Sequence, residues 1–239
     1  MRFLNPSALN ASGNLALDEA QLDALDEGRG FECLRVWEPD ELFVVVGFAN
    51  RAGEEANLPA CRQAGVPIHR RVSGGGTVLQ GPGCLNYSVV LRIEEGGPLA
   101  SVSGANDFIL GRVRAALNPL AGGGIELRGQ TDLTMDGRKF SGNAQKRKRK
   151  ALLFHGTLLL DFDLQLIETY LRMPSKQPDY RAGRGHLEFV TNLNLSAAEV
   201  ARALRETWGA TETIDETPDE EVERLVREKY SLDEWNLRR

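Results

Sequence analysis

HRRVSGGGTVLQGPGCLNYS, residues 69–88, decides how the rest of the chain is read. Two arginines, Arg70 and Arg71, lead into three consecutive glycines, Gly74, Gly75 and Gly76. A second bend, Gly81-Pro82-Gly83, then precedes an apolar segment. Three adjacent glycines inside a strand are entropically costly and leave nothing to pack. Their use is to let backbone N–H groups approach something that a Cβ would exclude. With Arg70 and Arg71 beside them an anion fits: a phosphate, or a carboxylate about to be activated. A glycine-rich turn between two strands, with solvated arginines, fits the same residues.

Outward from this stretch, Pro67–Arg71 and Thr77–Leu79 read as strands on either side of the loop, and Leu85–Arg92 continues the sheet. Upstream, Ser12–Leu25 has apolar residues at helical intervals, with Ser12 placed to cap it. Leu34–Trp37 and Leu42–Gly47 read as strands, the second a β-branched run of the kind buried on both faces. Glu54–Ala64 reads as one helix, ended by Gly65 and Pro67.

Downstream, Ala105–Leu117 is helical, and Pro119 and Gly122–Gly124 separate it from the next group of strands. Thr131–Met135, Arg138–Ala144, Ala151–Phe154 and Thr157–Asp161 read as four short strands, with Asp136-Gly137 as a turn. Leu164–Leu171 reads as a short helix and Pro174–Gly185 as a loop. Ser196–Trp208 and Pro218–Glu228 are terminal helices, the first with Ser196 and Glu199 at capping-box spacing. Strands come in neighbouring groups, so the pattern predicts one α+β domain over residues 1–239, with a mixed, largely antiparallel sheet flanked by helices.

Composition narrows the function classes. The 239 residues are 41% hydrophobic and 26% charged, with a formal net charge of −5. That balance argues against a general nucleic-acid binder. The cysteines Cys33, Cys61 and Cys84 form no CxxC pair, so neither a disulfide framework nor a protein-built metal site is expected. The N-terminus lacks the apolar core of a signal peptide, and no apolar run approaches a membrane span. A soluble cytoplasmic protein without membrane contact is the expectation.

A second polar constellation is DGRKFSGNAQ, residues 136–145. Lys139 is either a solvated strand residue or, if it faces a cleft, a point charge for a phosphate or a polarised carboxyl oxygen. Ser141, Gly142 and Asn143 keep such a cleft open and offer hydrogen bonds. His155-Gly156-Thr157 opens a later strand, and a lone histidine is commonly structural. GGGTV lacks the Lys-Ser/Thr of a P-loop, no GxGxxG follows a first strand, and there is no GxSxG or HExxH. A Mg²⁺ ion carried in on nucleotide phosphates would leave almost no mark.

Taken together, RRVSGGGTV, GPGCLNYSVVL, TDLTMDGRKFSGNAQ and FHGTLLLD resemble, in order and spacing, the catalytic domain of lipoate-protein ligases, and NLALDEAQL resembles its first helix. The resemblance covers roughly residues 1–210. It implies the fold shared by biotin ligases, lipoate ligases and octanoyltransferases. It also implies a reaction in which lipoate, or a similar acid such as octanoate, and ATP with Mg²⁺ give an acyl-adenylate. A lysine of a lipoyl carrier domain, from a 2-oxoacid dehydrogenase E2 or the glycine-cleavage H protein, then accepts the acyl group.

On this resemblance Lys139 is the catalytic residue, between the acyl carbonyl and the α-phosphate. Gly74, Gly75 and Gly76 line the acyl-adenylate, with Arg70, Arg71 and Ser73 supporting that loop and the phosphates. Asp132, Asn143 and His155 are nearby polar contacts. Thr77, Val78, Asn86, Ser141, Gly142, Ala144, Gly156 and Thr157 complete the expected binding set. Val78, Leu85 and the first helix are candidates for the apolar slot.

The chain also departs from the family pattern. Ligases commonly carry His-Asp after the glycine segment, where Gln80-Gly81 stands here. The following Gly-Pro-Gly is similar to the octanoyltransferase branch, yet the cysteine positions of the transferase branches hold none. Cys84 is the one cysteine near the implied site, either a pocket-wall residue or a nucleophile. No C-terminal accessory domain is expected, so a separate accessory subunit is one possibility. Lys146–Lys150 (KRKRK) reads either as a solvated hairpin tip or as a patch that steers an acidic carrier domain. A cofactor-free acyltransferase and a non-catalytic lipoate-binding protein are the rival readings.

Overall fold

The computed structural model describes residues 1–5, 9–215 and 217–238. The readings of the N-terminus and of the C-terminal helical region include residues 6–8 and 216, which lie outside that set. In chain order the first elements are β1 (Arg2–Leu4), α1 (Ala11–Asp26), β2 (Cys33–Trp37), β3 (Phe43–Val46), α2 (Ala52–Glu55), α3 (Leu58–Ala64) and β4 (Ile68–Arg70). The glycine loop comes next, then β5 (Val78–Gln80), β6 (Cys84–Arg92), α4 (Val102–Ala121), β7 (Glu126–Arg128), β8 (Asp132–Met135), β9 (Arg138–Arg147) and β10 (Ala151–Leu159). The chain ends with α5 (Gln165–Tyr170), α6 (His186–Phe189), α7 (Ala197–Thr207), β11 (Glu212–Ile214), α8 (Asp219–Leu225) and α9 (Asp233–Asn236).

Eight strands form one sheet in the order β11-β1-β2-β6-β10-β9-β8-β7, and β4-β3-β5 form a second, small sheet. The fold is α+β with mixed sheets. Strand β1 pairs in parallel with β11 and β2, and β3 with β4; the other ladders are antiparallel. One face of the large sheet (Leu34, Val89, Phe154) packs on α4 and α7 through Ile109, Val113 and Leu204. The opposite face (Cys33, Val90, Leu153) packs on α1 and α8 through Leu22 and Val222. The small sheet buries Val44 and Val46 against α3, α5 and α6. Each such aliphatic side chain contributes about 1.5–3 kcal/mol when fully buried.

Several elements differ from the sequence expectation for identifiable reasons. Helix α1 is capped by Asn10, whose side chain accepts from Gly13 N, while the Ser12 hydroxyl donates to Asn10. The expected helix at Glu54–Ala64 is two helices. Ala56 turns extended and bridges Leu171, Asn57 N donates to Tyr170 O, and Pro59 restarts the second helix. Helix α4 runs through Pro119 and ends only at Gly122, whose φ of 74° is the left-handed value that favours glycine. The two expected strands at 151–161 are one unbroken strand, β10. Ser196 makes no side-chain cap to α7. Strands β1, β7 and β11 and helix α6 were not expected, being too short for their periodicity to register.

Candidate active site

Strand register sets out the site. On the face of the large sheet turned toward α1, the side chains fall in rows that run across the strands. One row is Arg35–Ser88–His155–Ala144 on β2, β6, β10 and β9. Two residues further along lies Trp37–Asn86–Thr157–Gly142–Asp132, which extends onto β8. Between the second row, α1, the small sheet and the glycine loop is a cavity of about 180 Å³.

Lys139 reaches this cavity because β9 is irregular. Asp132 pairs Gly142 and Leu133 pairs Ser141, but Thr134 pairs Lys139, so Phe140 is the extra residue of a bulge. The bulge flips the alternation: Phe140 enters the core with Leu133, and Lys139 turns to the opposite face. Its Nζ sits over Gly142, where a Cβ would approach it to 2.8 Å. Asp132 Oδ1 holds the ammonium at 2.7 Å, and Asp132 Oδ2 accepts from Tyr180 OH at 2.8 Å. The backbone of Lys139 is fixed as well, since its carbonyl accepts from Thr191 N at 2.9 Å.

The glycine loop is shaped from inside by Arg71. Its guanidinium donates to Gly74 O at 2.5 Å, to Gly76 O at 2.7 Å and, through Nε, to Ser73 Oγ at 3.0 Å. Gly75 carries a φ of 85°, and a Cβ on Gly47 would overlap the Gly75 carbonyl. Burial pushes the Arg71 pKa down to about 10, still well above neutrality.

Ser73 continues into a buried chain. Its Oγ lies 2.5 Å from His155 Nε2, and His155 Nδ1 lies 3.0 Å from Asp18 Oδ2. Asp18 Oδ1 also accepts from Arg35 at 3.1 Å and from Ser88 at 2.9 Å. Burial acts to raise the Asp18 pKa, but the His155 hydrogen bond and the Arg35 charge outweigh it, so the carboxyl stays below its ordinary value. An ionised Asp18 takes the Nδ1 proton's bond, which leaves Nε2 to accept from Ser73. The order Ser–His–Asp is that of a hydrolytic triad, yet Ser73 is 0% exposed and tied to Arg71. Here the chain fastens α1, the sheet and the glycine loop together.

Fourteen of the residues named from the sequence face the cavity. They are Lys139, Arg71, Gly75, Gly76, Thr77 and Val78, then Asn86, Asp132, Gly142 and Asn143, and finally Ala144, His155, Gly156 and Thr157. Ser73 and Ser141 stand one layer behind, where Ser141 Oγ accepts from Asn143 Nδ2 at 3.1 Å, and Gly74 is exposed on the loop outside the cavity lining. Asn143 is itself gripped by Thr131 O at 2.7 Å and by Tyr87 OH at 2.5 Å, and a Cβ on Gly156 would overlap its Oδ1.

Three expectations are corrected. Arg70 does not face the loop or any phosphate position. Its side chain is buried under the carbonyls of Gly47, Phe48, Asn50, Trp235, Asn236 and Arg238. Leu85 belongs to the α4 core and not to the slot. Cys84 is 0% exposed, in the core beneath the small sheet, with its thiol pushed up to about 12 by burial, so it is neither pocket wall nor nucleophile.

Sequence reasoning missed Asp18, Trp37, Phe43, Gln80 and Tyr87, which also line the cavity, and Arg35 behind them. Arg35 left one signal: it is the single charge in the otherwise apolar strand Cys33–Trp37, whereas Asp18 stands beside Glu19 in a mixed helix sequence. Among the described residues no group of three His, Cys, Asp or Glu side chains could hold a metal ion, and no helix is long and apolar enough to cross a membrane.

Comparison with known proteins agrees with this geometry. Over its full length the chain is 28% identical to octanoyltransferase LipM of Brevibacillus brevis, covering 100% of this chain and 99% of that one. A bi-partite lipoate protein ligase of Thermoplasma acidophilum, solved in a study that includes its E2 lipoyl domain, superposes with a TM-score of 0.84 at 27% identity, covering 99% and 95% of the two chains. A lipoate-protein ligase A solved with ATP bound superposes with a TM-score of 0.78 at 28% identity, covering 99% and 98%. The family model described as lipoyl protein ligase A/B catalytic domain matches residues 10–208, and the chain belongs to that family.

Proposed function

We propose that the chain is an ATP-dependent lipoate–protein ligase acting in the cytoplasm. One observation carries the reading: Lys139 and the Arg71-held glycine loop face each other across one cavity that no cysteine enters. A carboxylate oxygen of the acid attacks the α-phosphorus of ATP and pyrophosphate leaves. The lysine amine of a lipoyl carrier then attacks the acyl carbonyl, and AMP leaves as the amide forms. Bringing two anions together needs fixed positive charge and backbone donors in place beforehand. Lys139, oriented by Asp132 and seated over Gly142, supplies the first; the loop at Gly75 and Gly76 supplies the second.

The two carboxylates facing the cavity, Asp18 and Asp132, are already engaged by Arg35, His155 and Lys139. Mg²⁺ on this reading enters with the nucleotide phosphates, whose charge it offsets. The ATP-bound relative supports the nucleotide assignment, and the bi-partite relative supports both a lipoyl-domain acceptor and a second subunit.

A second reading, acyl transfer between carriers without ATP, is favoured by the full-length similarity to octanoyltransferase LipM. The cysteines weigh against a thioester route, since Cys33, Cys61 and Cys84 are all buried outside the cavity. Lipoate-dependent exchange of labelled pyrophosphate into ATP tests the choice. Exchange by the purified chain, alone or with an accessory protein, supports the ligase. Octanoyl transfer from a carrier without ATP, and no exchange, replaces it with the transferase.

A further inference from the structure

Asp132 spends one of its two carboxylate oxygens on Lys139 and the other on a residue outside the cavity. Oδ1 lies 2.7 Å from the ammonium, and Oδ2 accepts from Tyr180 OH at 2.8 Å. Tyr180 belongs to a single 3-10 turn, Asp179–Arg181, in the segment between α5 and α6. That segment is fastened at several points that do not involve the Tyr180 hydroxyl. Arg184 donates to Tyr180 O at 2.9 Å and to Gly137 O at 3.2 Å, in the turn that joins β8 to β9. Ser175 N donates to the buried Glu55 side chain at 3.3 Å. The Tyr180 ring packs on Phe189 with centroids 5.2 Å apart and reaches Gly129, where a Cβ would stand 3.5 Å from it. The ring therefore secures the segment, and the hydroxyl is left for Asp132.

Burial and the nearness of Asp132 push the Tyr180 pKa far above its ordinary value, so the group stays a phenol and donates. A carboxylate with both oxygens free can close on an ammonium with both and take up more of its charge. With Oδ2 held by the phenol, Asp132 meets Nζ through Oδ1 alone. Among the described residues Asp132 is the one polar partner of that Nζ, and an ammonium has three N–H donors. Two donors are thus left over Gly142, on the cavity side, for a ligand. In adenylation negative charge gathers on the acid and the α-phosphate beside this ammonium. Charge that Asp132 absorbs is then lost to the transition state.

We propose that Tyr180 is a positioning residue for Lys139: by holding Asp132 Oδ2 it limits that carboxylate to one contact and keeps the remaining ammonium donors for the ligand. It ties the segment between α5 and α6 to the reacting centre without touching substrate. The proposal rests on the reading of Lys139 as the group that meets the reacting anion, and its first test needs no turnover.

Tyr180→Phe keeps the ring contacts and removes the hydroxyl. Trace acetylation of Lys139 by acetic anhydride in the full chain, read by peptide mass spectrometry against Lys150, reports how tightly the amine is held. Asp132 closing on the ammonium is expected to lower that labelling by about threefold in Tyr180→Phe. In an Asp132→Asn background the same change is expected to have no further effect, because the group through which Tyr180 acts is gone. Turnover gives the second readout: kcat for lipoate-dependent pyrophosphate exchange is expected to fall about tenfold in Tyr180→Phe, with KM for lipoate within about twofold. Unaltered labelling in Tyr180→Phe overturns the proposal. Equal losses in both backgrounds, a raised KM with kcat unchanged, or a Tyr180→Phe chain that fails to fold would make Tyr180 a packing residue and overturn it as well. Labelling that follows the expected cycle, with no exchange by the unaltered chain, leaves this placement standing and removes the ligase reading alone.

Discussion

Two adjacent rows on one face of one sheet have opposite characters. In the row Arg35–Ser88–His155–Ala144 most polar groups meet protein partners, through Asp18 and on to Ser73 and Arg71. In the row Trp37–Asn86–Thr157–Gly142–Asp132 an amide is left open and a lysine is poised over a glycine. The rows share strands β2, β6, β10 and β9, so secondary structure cannot be the cause. The difference is the neighbour above: Asp18 of helix α1 reaches Arg35, Ser88 and His155 of the first row, whereas every member of the second row borders the cavity. A row whose polar groups are mostly met by protein partners is scaffold, and one that borders open volume along its whole length is where a ligand can sit.

The largest test of that division is Lys139→Ala, whose ammonium group lies over Gly142 of the second row. It is expected to lower lipoate-dependent pyrophosphate exchange by about 10³-fold, while the thermal transition moves little. Comparable exchange in this variant would dissolve the distinction. Asp18→Ala, reaching the first row from α1, should show foremost in stability. It leaves the Arg35 guanidinium buried beside an empty position, and a loss of about 3–5 kcal/mol in denaturant unfolding is expected.

Acid titration sharpens the same contrast. The folded-state pKa of Asp18 lies below its ordinary value of 3.8, so its contribution to stability is present above that pH and lost as the pH falls through the folded value. The acid limb of unfolding free energy against pH is therefore expected to be shallower in Asp18→Asn than in the unaltered chain. An identical limb would mean that the carboxylate is not held ionised by Arg35 and His155.

Gly156→Ala comes next in size. The added methyl overlaps Asn143 Oδ1, so the Tyr87–Asn143 bond must break, for about 1–3 kcal/mol in stability with no change of strand pairing. The smallest effect belongs to the hairpin tip. Lys148 is paired with Asp23 at 2.6 Å, Lys146 stacks on Phe48, and Arg147 donates to Leu99 O and Ala100 O. With three of the five charges so occupied, replacing Lys148, Arg149 and Lys150 by Gln should change carrier association only a few-fold, and that difference should vanish at high salt.

These particulars also mark how far the sequence could be read. The glycine loop and the 136–145 segment carried their chemistry in residue types that have few other uses, and both line the cavity. The aim of Lys139 was not legible, because a bulge at Phe140 reverses the alternation that a strand pattern assumes. Arg70 and Arg71 looked interchangeable as neighbours in one strand. Only the fold reveals that one faces the glycine loop and the other the C-terminal segment. Asp18 was hidden for the same reason: its partners are on strands 17, 70 and 137 positions away.

Arg70 also sets a constraint on handling the protein. Three of the six carbonyls that surround its guanidinium come from Trp235, Asn236 and Arg238, and Trp235 Nε1 donates back to the Arg70 carbonyl at 2.8 Å. Clipping the tail behind Ser231 would strand a buried cation one peptide bond from the arginine that shapes the glycine loop. Proteolytic trimming at this end would thus remove half of the carbonyls around Arg70, beside the arginine that shapes the glycine loop.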